Sequence, residues 1–323
     1  IENDPAGTAT VPELLSAAAN FREPAVADRL FAIADRKKEW RSPAANALLV
    51  VSGFDQKIED EDDEKPDRKW EADQHPRHPA ILAKLLDKVI AYGDFSTAQE
   101  LLPAARWCRG AESDGPLSLL AANPDDDLRH AAIEAYGWRV RKRGASPDPL
   151  LKALRTKNPT TQFYAAEQLA LSGKPEGINV LLSAIEYLDD VSLRERAVLA
   201  LGELGDARAL DVLLRLAGED GHALQEAAAE AIGHLRRGAD ADKIGKLLER
   251  LAKGNGGVAK RALVGLRWFD SDTGWQLIRH RATDRQNWQI RQTAAEQLGF
   301  HDEPANRDLL AKILRTENDT DVL

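Results

Sequence analysis

A ten-residue pattern recurs six times along this 323-residue chain, and the recurrence restricts the possible folds more than any other feature. The fifth residue is alanine in every copy, the ninth is large and apolar, and the tenth is small except for Arg267. Positions 1, 5, 6 and 9 share one side of an α-helix, so each copy predicts a helix with one buried stripe. The copies are 31 to 34 residues apart and start at Leu128, Thr161, Leu193, Leu224, Val258 and Ile290.

A second helical pattern accompanies these copies, as in the apolar segment 210–216. Turn-forming residues separate the two helices, for example Asn158-Pro159 and Asn255-Gly256. Two antiparallel helices in every ~32 residues, stacked side by side, make an α-solenoid. We therefore predict an all-α, right-handed solenoid of about eight stacked helix pairs.

The segment 193–206, followed by 209–214, resembles a known repeat. It is similar to the short bacterial HEAT-like repeat, which is named for its occurrence in phycobilisome linker-lyase subunits. The resemblance covers residues 128–323 well and the N-terminal third poorly. It implies a fold and a mode of binding along an extended surface, and it does not imply an enzyme activity.

Domain organisation follows from where the repeat is regular. We expect irregular helical repeats over residues 1–122, interrupted by an acidic disordered loop at 55–79, and regular HEAT-like repeats over 123–323. The run Glu59–Glu64 contains no apolar residue, which indicates a solvated loop or, alternatively, a tail that recruits a basic partner. Residues 317–323 match the turn before a second helix, so we expect the natural protein to continue past Leu323.

Residues that could carry chemistry are sparse in this sequence. The chain has one cysteine, Cys108, which we expect to be a buried structural thiol. Asp73, His75 and His78 could bind a metal, but their loop lacks the spacing of a known metal site, so we interpret them as an incidental cluster. The sequence therefore favours a protein that is not an enzyme and has no catalytic residue, metal or cofactor.

No apolar run reaches the ~18 residues of a membrane helix. The N-terminal residues Ile1–Asp4 are acidic where a signal peptide would be basic. We expect a soluble, cytoplasmic protein with no membrane partner.

Charge at two positions of the repeat predicts a binding surface. Position 7 is glutamate in four of the six copies, and position 2 is arginine in three. If the second helices line the concave face, as is usual in such solenoids, a glutamate column there would repel a phosphate backbone and suit a basic or mixed-charge partner. We expect another protein, or another domain of a longer chain, to bind there through Arg129, Glu134, Glu167, Arg194, Glu230, Arg291 and Glu296.

Two alternatives remain open. The chain carries a net charge of −9, yet residues 231–290 are basic and contain tryptophans. This stretch could bind nucleic acid, as in HEAT-like repair or processing proteins resembling alkylpurine glycosylases, although tryptophans in the core and solvated charges would give the same pattern. The residues of this edge, between 236 and 291, would be Arg236, Arg237, Lys260, Arg261, Arg279, Arg281, Arg285 and Trp288. The other alternative, implied by the resemblance, is a lyase or chaperone.

Overall fold

The computed structural model describes residues 11–21, 23–53, 78–108, 110–235, 240–284 and 286–316, and all regular secondary structure in these ranges is helical. The α-helices are α1 (Val11–Ala19), α2 (Pro24–Arg36), α3 (Arg41–Val51), α4 (Pro79–Tyr92), α5 (Phe95–Trp107), α6 (Asp114–Leu120), α7 (Asp126–Arg143), α8 (Asp148–Ala153), α9 (Pro159–Leu171), α10 (Ile178–Tyr187), α11 (Val191–Leu204), α12 (Leu210–Gly218), α13 (Gln225–Ala231), α14 (Ala241–Ala252), α15 (Gly256–Phe269), α16 (Asp272–Arg281), α17 (Trp288–Leu298) and α18 (Pro304–Thr316). The predicted all-α class is confirmed.

The chain divides into two compact units, Ile1–Gln168 and Leu169–Leu323. In the first unit, α2 packs on α3, α4 on α5 and α6 on α7, and α8 and α9 follow in the same order. The second helices α3, α5 and α7 contact one another in sequence. The predicted change from irregular to regular repeats at residue 123 lies inside this unit and stays a prediction.

In the unit Leu169–Leu323, four second helices form a continuous layer. α11 contacts α13, α13 contacts α15, and α15 contacts α17. Each of them packs on the first helix that precedes it, namely α10, α12, α14 or α16, and α18 follows α17 as the first helix of a further pair. The segment Ile232–Leu235 continues α13 as a 3-10 helix.

The recurring columns of the sequence form the interior of these layers. The alanine at position 5 is fully buried in all six copies, and the large residue at position 9 is buried in all six. Small residues at position 10 permit close approach of neighbouring second helices. A Cβ atom at Gly233 would lie 2.1 Å from the carbonyl oxygen of Gly265, and one at Gly202 would lie 2.6 Å from the Cβ of Ala231. Helices packed this closely tolerate little added volume.

Side-chain caps fix where several second helices begin. A carboxylate or amide oxygen accepts a hydrogen bond from a backbone N–H in the first turn, which satisfies one of the donors that a helix N-terminus leaves unpaired. Asp94 caps α5, Asp125 caps α7, Asn158 bonds Thr161 in α9, Asp190 caps α11 and Asn287 caps α17. Asn158, a turn residue named from the sequence, thus marks the start of α9, whereas Asn255 precedes α15 without a side-chain cap.

Two predictions concern residues that the structure does not describe. They are the acidic loop at 55–79, most of which is not described and which contains Asp73 and His75, and the continuation of the chain expected from residues 317–323. In the described part of the chain, no helix is both long and apolar enough to cross a membrane.

Candidate interaction surface on the second helices

The position-7 glutamates have different surroundings in the two units. In the first unit, Glu134 is half-buried, and Glu167 is only 5% exposed and accepts a hydrogen bond from the Gln168 side chain at 3.2 Å. In the second unit, Glu230 forms an ion pair with Arg261 of the next repeat, with 2.6 Å between Oε2 and Nη1, and Glu296 is exposed. Of the four, Glu296 is the most accessible to a partner.

The position-2 side chains hold the turns within each repeat. In five of the six copies, this side chain donates a hydrogen bond of 2.7 to 3.2 Å to a backbone carbonyl at or just beyond the end of the preceding helix. The donor and acceptor residues are Arg129 and Asn123, Gln162 and Thr156, Arg194 and Ile185, Gln225 and Ala217, and Arg291 and Asp284. In the remaining copy, which starts at Val258, position 2 is Ala259, and Arg281 of the next repeat donates to Gly254 instead.

These bonds have a clear physical reason. The last carbonyls of a helix have no partner within the helix, and a side chain that reaches them adds about 1 kcal/mol per bond. Arg129, Arg194 and Arg291, predicted to contact a partner, thus hold their own repeats together. The recurrence of long hydrogen-bonding side chains at position 2 was the sequence signal for this role.

Exposed charges on the second-helix layer of Leu169–Leu323 are mostly negative. Five charged side chains on α11, α13, α15 and α17 are exposed, and four of them are carboxylates. The fifth, Arg261, is already paired with Glu230. The four carboxylates belong to Glu195, Glu203, Glu226 and Glu296.

An aromatic row crosses the last three repeats of the same layer at position 11, the residue after the repeat pattern. The rings of His234 and Trp268 stack with centroids 4.6 Å apart. The guanidinium carbon of Arg267 lies 4.3 Å from the Trp268 ring centroid and 4.2 Å from that of Phe300. Phe300 remains 46% exposed. Arg267, the exception to the small residues at position 10, therefore bridges two rings on successive repeats.

The predicted nucleic-acid edge contains several arginines that bind the protein itself. Arg261 pairs with Glu230, Arg279 pairs with Glu303 at 2.8 Å, and Arg281 pairs with Asp284 at 2.9 Å. Lys260 is half-buried and Trp288 is 38% exposed. Arg236, Arg237 and Arg285 lie outside the described residues.

Histidines and the cysteine do not form a reactive centre in the described residues. No group of three or more His, Cys, Asp or Glu side chains there could hold a metal ion. Cys108 is buried, and burial raises the pKa of its thiol, which keeps the thiol protonated and unreactive. Burial also lowers the pKa of His130, whose ring stacks on Tyr164.

A buried arginine in the first unit has a structural role that the sequence did not indicate. Arg139 is 1% exposed and its Nε donates to Asp114 at 2.5 Å. Its other nitrogens donate to backbone carbonyls after α5, including those of Cys108 and Gly110. A buried guanidinium with this many acceptors anchors the link between α5 and α6.

Family models match the repeats described above. Four overlapping matches to the model for HEAT repeats cover residues 113–187, 147–233, 178–267 and 244–323. The chain belongs to the HEAT repeat family. The resemblance stated from the sequence is confirmed, and the HEAT repeats extend from the end of the first unit through the whole of the second.

Two solved structures with which this HEAT repeat chain was compared are similar to it. A chain from the complex of CpcE and CpcF of phycocyanin lyase from Nostoc sp. PCC7120 is 17% identical, with 79% of this chain and 98% of that chain covered and a TM-score of 0.49. An engineered protein is also 17% identical, with 98% and 94% covered and a TM-score of 0.45. No curated protein matched the sequence.

Proposed function

We propose that this HEAT repeat protein is a non-enzymatic scaffold that binds a basic or mixed-charge protein segment on the second-helix layer of Leu169–Leu323. One observation carries the proposal. Four of the five exposed charged side chains on this layer are carboxylates, and the fifth is neutralised by Glu230. A partner with lysine or arginine side chains complements that surface, and such complementarity raises the association rate and fixes the orientation of the partner.

The aromatic row supplies the apolar part of the same surface. Glu230 and His234 are four residues apart, as are Val264 and Trp268, and Glu296 and Phe300. Positions 7 and 11 are therefore about one turn apart, with His234 in the 3-10 helix after α13 and Phe300 just beyond the end of α17. In the last three repeats one row is acidic or aliphatic and the other is aromatic, whereas α11 has Leu199 and Glu203 at these positions. Aromatic anchors contribute most of the binding free energy at protein interfaces, while surrounding charges select the partner.

Affinity capture with the full chain as bait, followed by charge reversal, tests this function. We expect Glu195→Lys/Glu296→Lys to weaken capture of the specific partner at least about tenfold. The matched control is Glu186→Lys/Asp211→Lys, which makes the same change in charge at exposed positions of the first helices α10 and α12. Capture that survives the first variant, or that both variants weaken equally, would contradict the proposal.

The alternatives from the sequence have no supporting contact in the described residues. Arg261, Arg279 and Arg281 donate to carboxylates or carbonyls of the chain, which leaves the predicted nucleic-acid edge with fewer available cations. The lyase or chaperone role stays a prediction from the resemblance, and the cytoplasmic location stays a prediction as well.

A further inference from the structure

A basic stripe runs along one side of α14, the first helix of its pair. The stripe consists of Lys243, Lys246 and Arg250 in α14 and of Lys253 directly after its last residue, and all four side chains are exposed. At 3.6 residues per turn they share an arc of about 80°, opposite the buried side that contains Ile244 and Leu248. Their spacing of three, four and three residues extends over about 15 Å of the helix.

The stripe has few counter-charges nearby, because Asp242 is the one exposed carboxylate on α14. Within the described ranges, none of its four cations forms an ion pair. The nearby Glu249 carboxylate accepts a hydrogen bond from the Thr273 hydroxyl at 2.7 Å, which directs it toward α16. Like charges three or four residues apart destabilise a helix, and Asp242, four residues before Lys246, offsets only part of this effect.

The surroundings of the stripe indicate a narrow anionic partner. The preceding and following first helices, α12 and α16, expose Asp211 and Asp272. A nucleic acid duplex, with one phosphate charge per ~1.7 Å along its axis, would bring its backbone against these carboxylates as well. α14 also has no aromatic residue on which single-stranded bases could stack. A single helix, about 10–12 Å across with its side chains, covers less of the neighbouring helices than a duplex does.

We propose that the basic stripe of α14 docks an acidic α-helix of a partner protein. A helix with carboxylates three, four and three residues apart matches the stripe charge for charge, because both share the same rise per residue. The stripe is separate from the second-helix layer, so this proposal goes beyond the scaffold function. It gives the protein two surfaces of opposite sign, one for a basic segment and one for an acidic helix.

Fluorescence anisotropy with the full chain and a model peptide tests the proposal. The probe is a labelled, alanine-rich helical peptide of about 20 residues with glutamates at the matching spacing. A scrambled peptide of equal composition and a labelled DNA duplex serve as competing probes. We expect the matched peptide to bind better than both, and raised salt to weaken its binding.

Charge-reversal variants locate the binding site. Lys243→Glu/Lys246→Glu/Arg250→Glu should weaken peptide binding at least about tenfold, because it replaces attraction by repulsion. Arg307→Glu/Lys312→Glu/Arg315→Glu makes the same change at exposed positions of α18 and should leave it nearly unchanged. Thermal melting by circular dichroism checks that both variants fold.

Four outcomes would overturn the docking site. They are no binding of the matched peptide, equal binding of the scrambled peptide, equal losses in both variants, and tighter binding of the DNA duplex through the same stripe. The last outcome would assign the stripe to nucleic acid. None of them bears on the second-helix layer, whose test uses different residues.

Discussion

At the scale of single residues, a charged side chain on a repeat protein acts either within the chain or toward a partner, and its neighbours decide which. Arg139 donates to the carbonyl of Cys108, which follows α5. Arg194 donates to a carbonyl in the last turn of α10, where the helix supplies no donor. Lys243 and Lys246 have no such acceptor within reach in the described residues. The same residue types therefore stabilise the fold in one place and remain available for binding in another.

Arg139→Met tests the internal role directly. The change leaves the Asp114 carboxylate and several carbonyls without their buried donor, and we expect a loss of about 3–5 kcal/mol in the free energy of unfolding. Cys108 gives a local readout because its thiol is fully buried beside these carbonyls. Its reaction with a thiol reagent should become at least about tenfold faster.

The control for this variant is Arg155→Met, at an exposed position just after α8. It should change neither the unfolding free energy nor the Cys108 reaction rate appreciably. If Arg139→Met left both quantities at their wild-type values, the anchoring role of the arginine would be wrong.

One residue pair in the link after α11, Asp206 and Arg208, makes a pH-dependent contribution to the stability of the fold. Hydrogen bonds from the Arg208 side chain and then its backbone N–H lower the pKa of Asp206 to about 2, from an ordinary 3.8. Because the folded pKa is the lower one, the stabilisation is complete above the ordinary value and is lost as the pH falls toward 2.

Asp206→Asn should therefore be less stable than the wild type near neutral pH, and the difference should close between pH 4 and pH 2. Urea unfolding midpoints of both proteins across that range give the measurement. Asp211→Asn, on the exposed side of α12, makes the same charge change and should leave the midpoint near the wild-type value at neutral pH. A gap for Asp206→Asn that is constant with pH would contradict the assignment.

At the scale of secondary-structure elements, the second helices of Leu169–Leu323 are held together by small residues. Position 10 must stay small where the next helix lies against it, as at Gly202 and Gly233. Where it is Arg267, the long side chain extends over Trp268 and Phe300 instead. The departure from the repeat pattern thus coincides with the aromatic row that we assign to partner binding.

Gly233→Ala tests this packing. Its added methyl group would lie 2.1 Å from the Gly265 carbonyl oxygen, so α15 must move, and we expect a loss of about 1–3 kcal/mol in the free energy of unfolding. Gly218→Ala, where a Cβ meets nothing within 4 Å, should be neutral or more stable by up to about 1 kcal/mol. Equal midpoints for the two variants in urea would contradict close packing at Gly233.

At the scale of the whole molecule, the net charge of −9 conceals an uneven distribution. Within Leu169–Leu323, exposed carboxylates predominate on the second helices, and the basic stripe along α14 has four exposed cations. We propose that the two surfaces bind partners of opposite charge. In this proposal each surface repels the partner of the other, and such repulsion contributes to specificity at charged interfaces.

The sequence alone determined the repeat, the helical class, the buried alanine and large apolar columns, and several turn residues. This was possible because helical periodicity fixes which side chains share a face, whatever lies beside the helix. The glutamate column was predicted to line one binding surface, but its members have different surroundings. Glu167 is buried while Glu296 is exposed.

Tertiary structure alone decided which charged side chains are engaged. Arg261 reaches Glu230 across 31 residues of sequence, and Arg281 replaces the missing donor at Ala259 from the following repeat. Such pairings depend on the register between neighbouring helices and on the carbonyls left unpaired at helix ends. No local pattern contains that information, since it arises only when two repeats pack against each other.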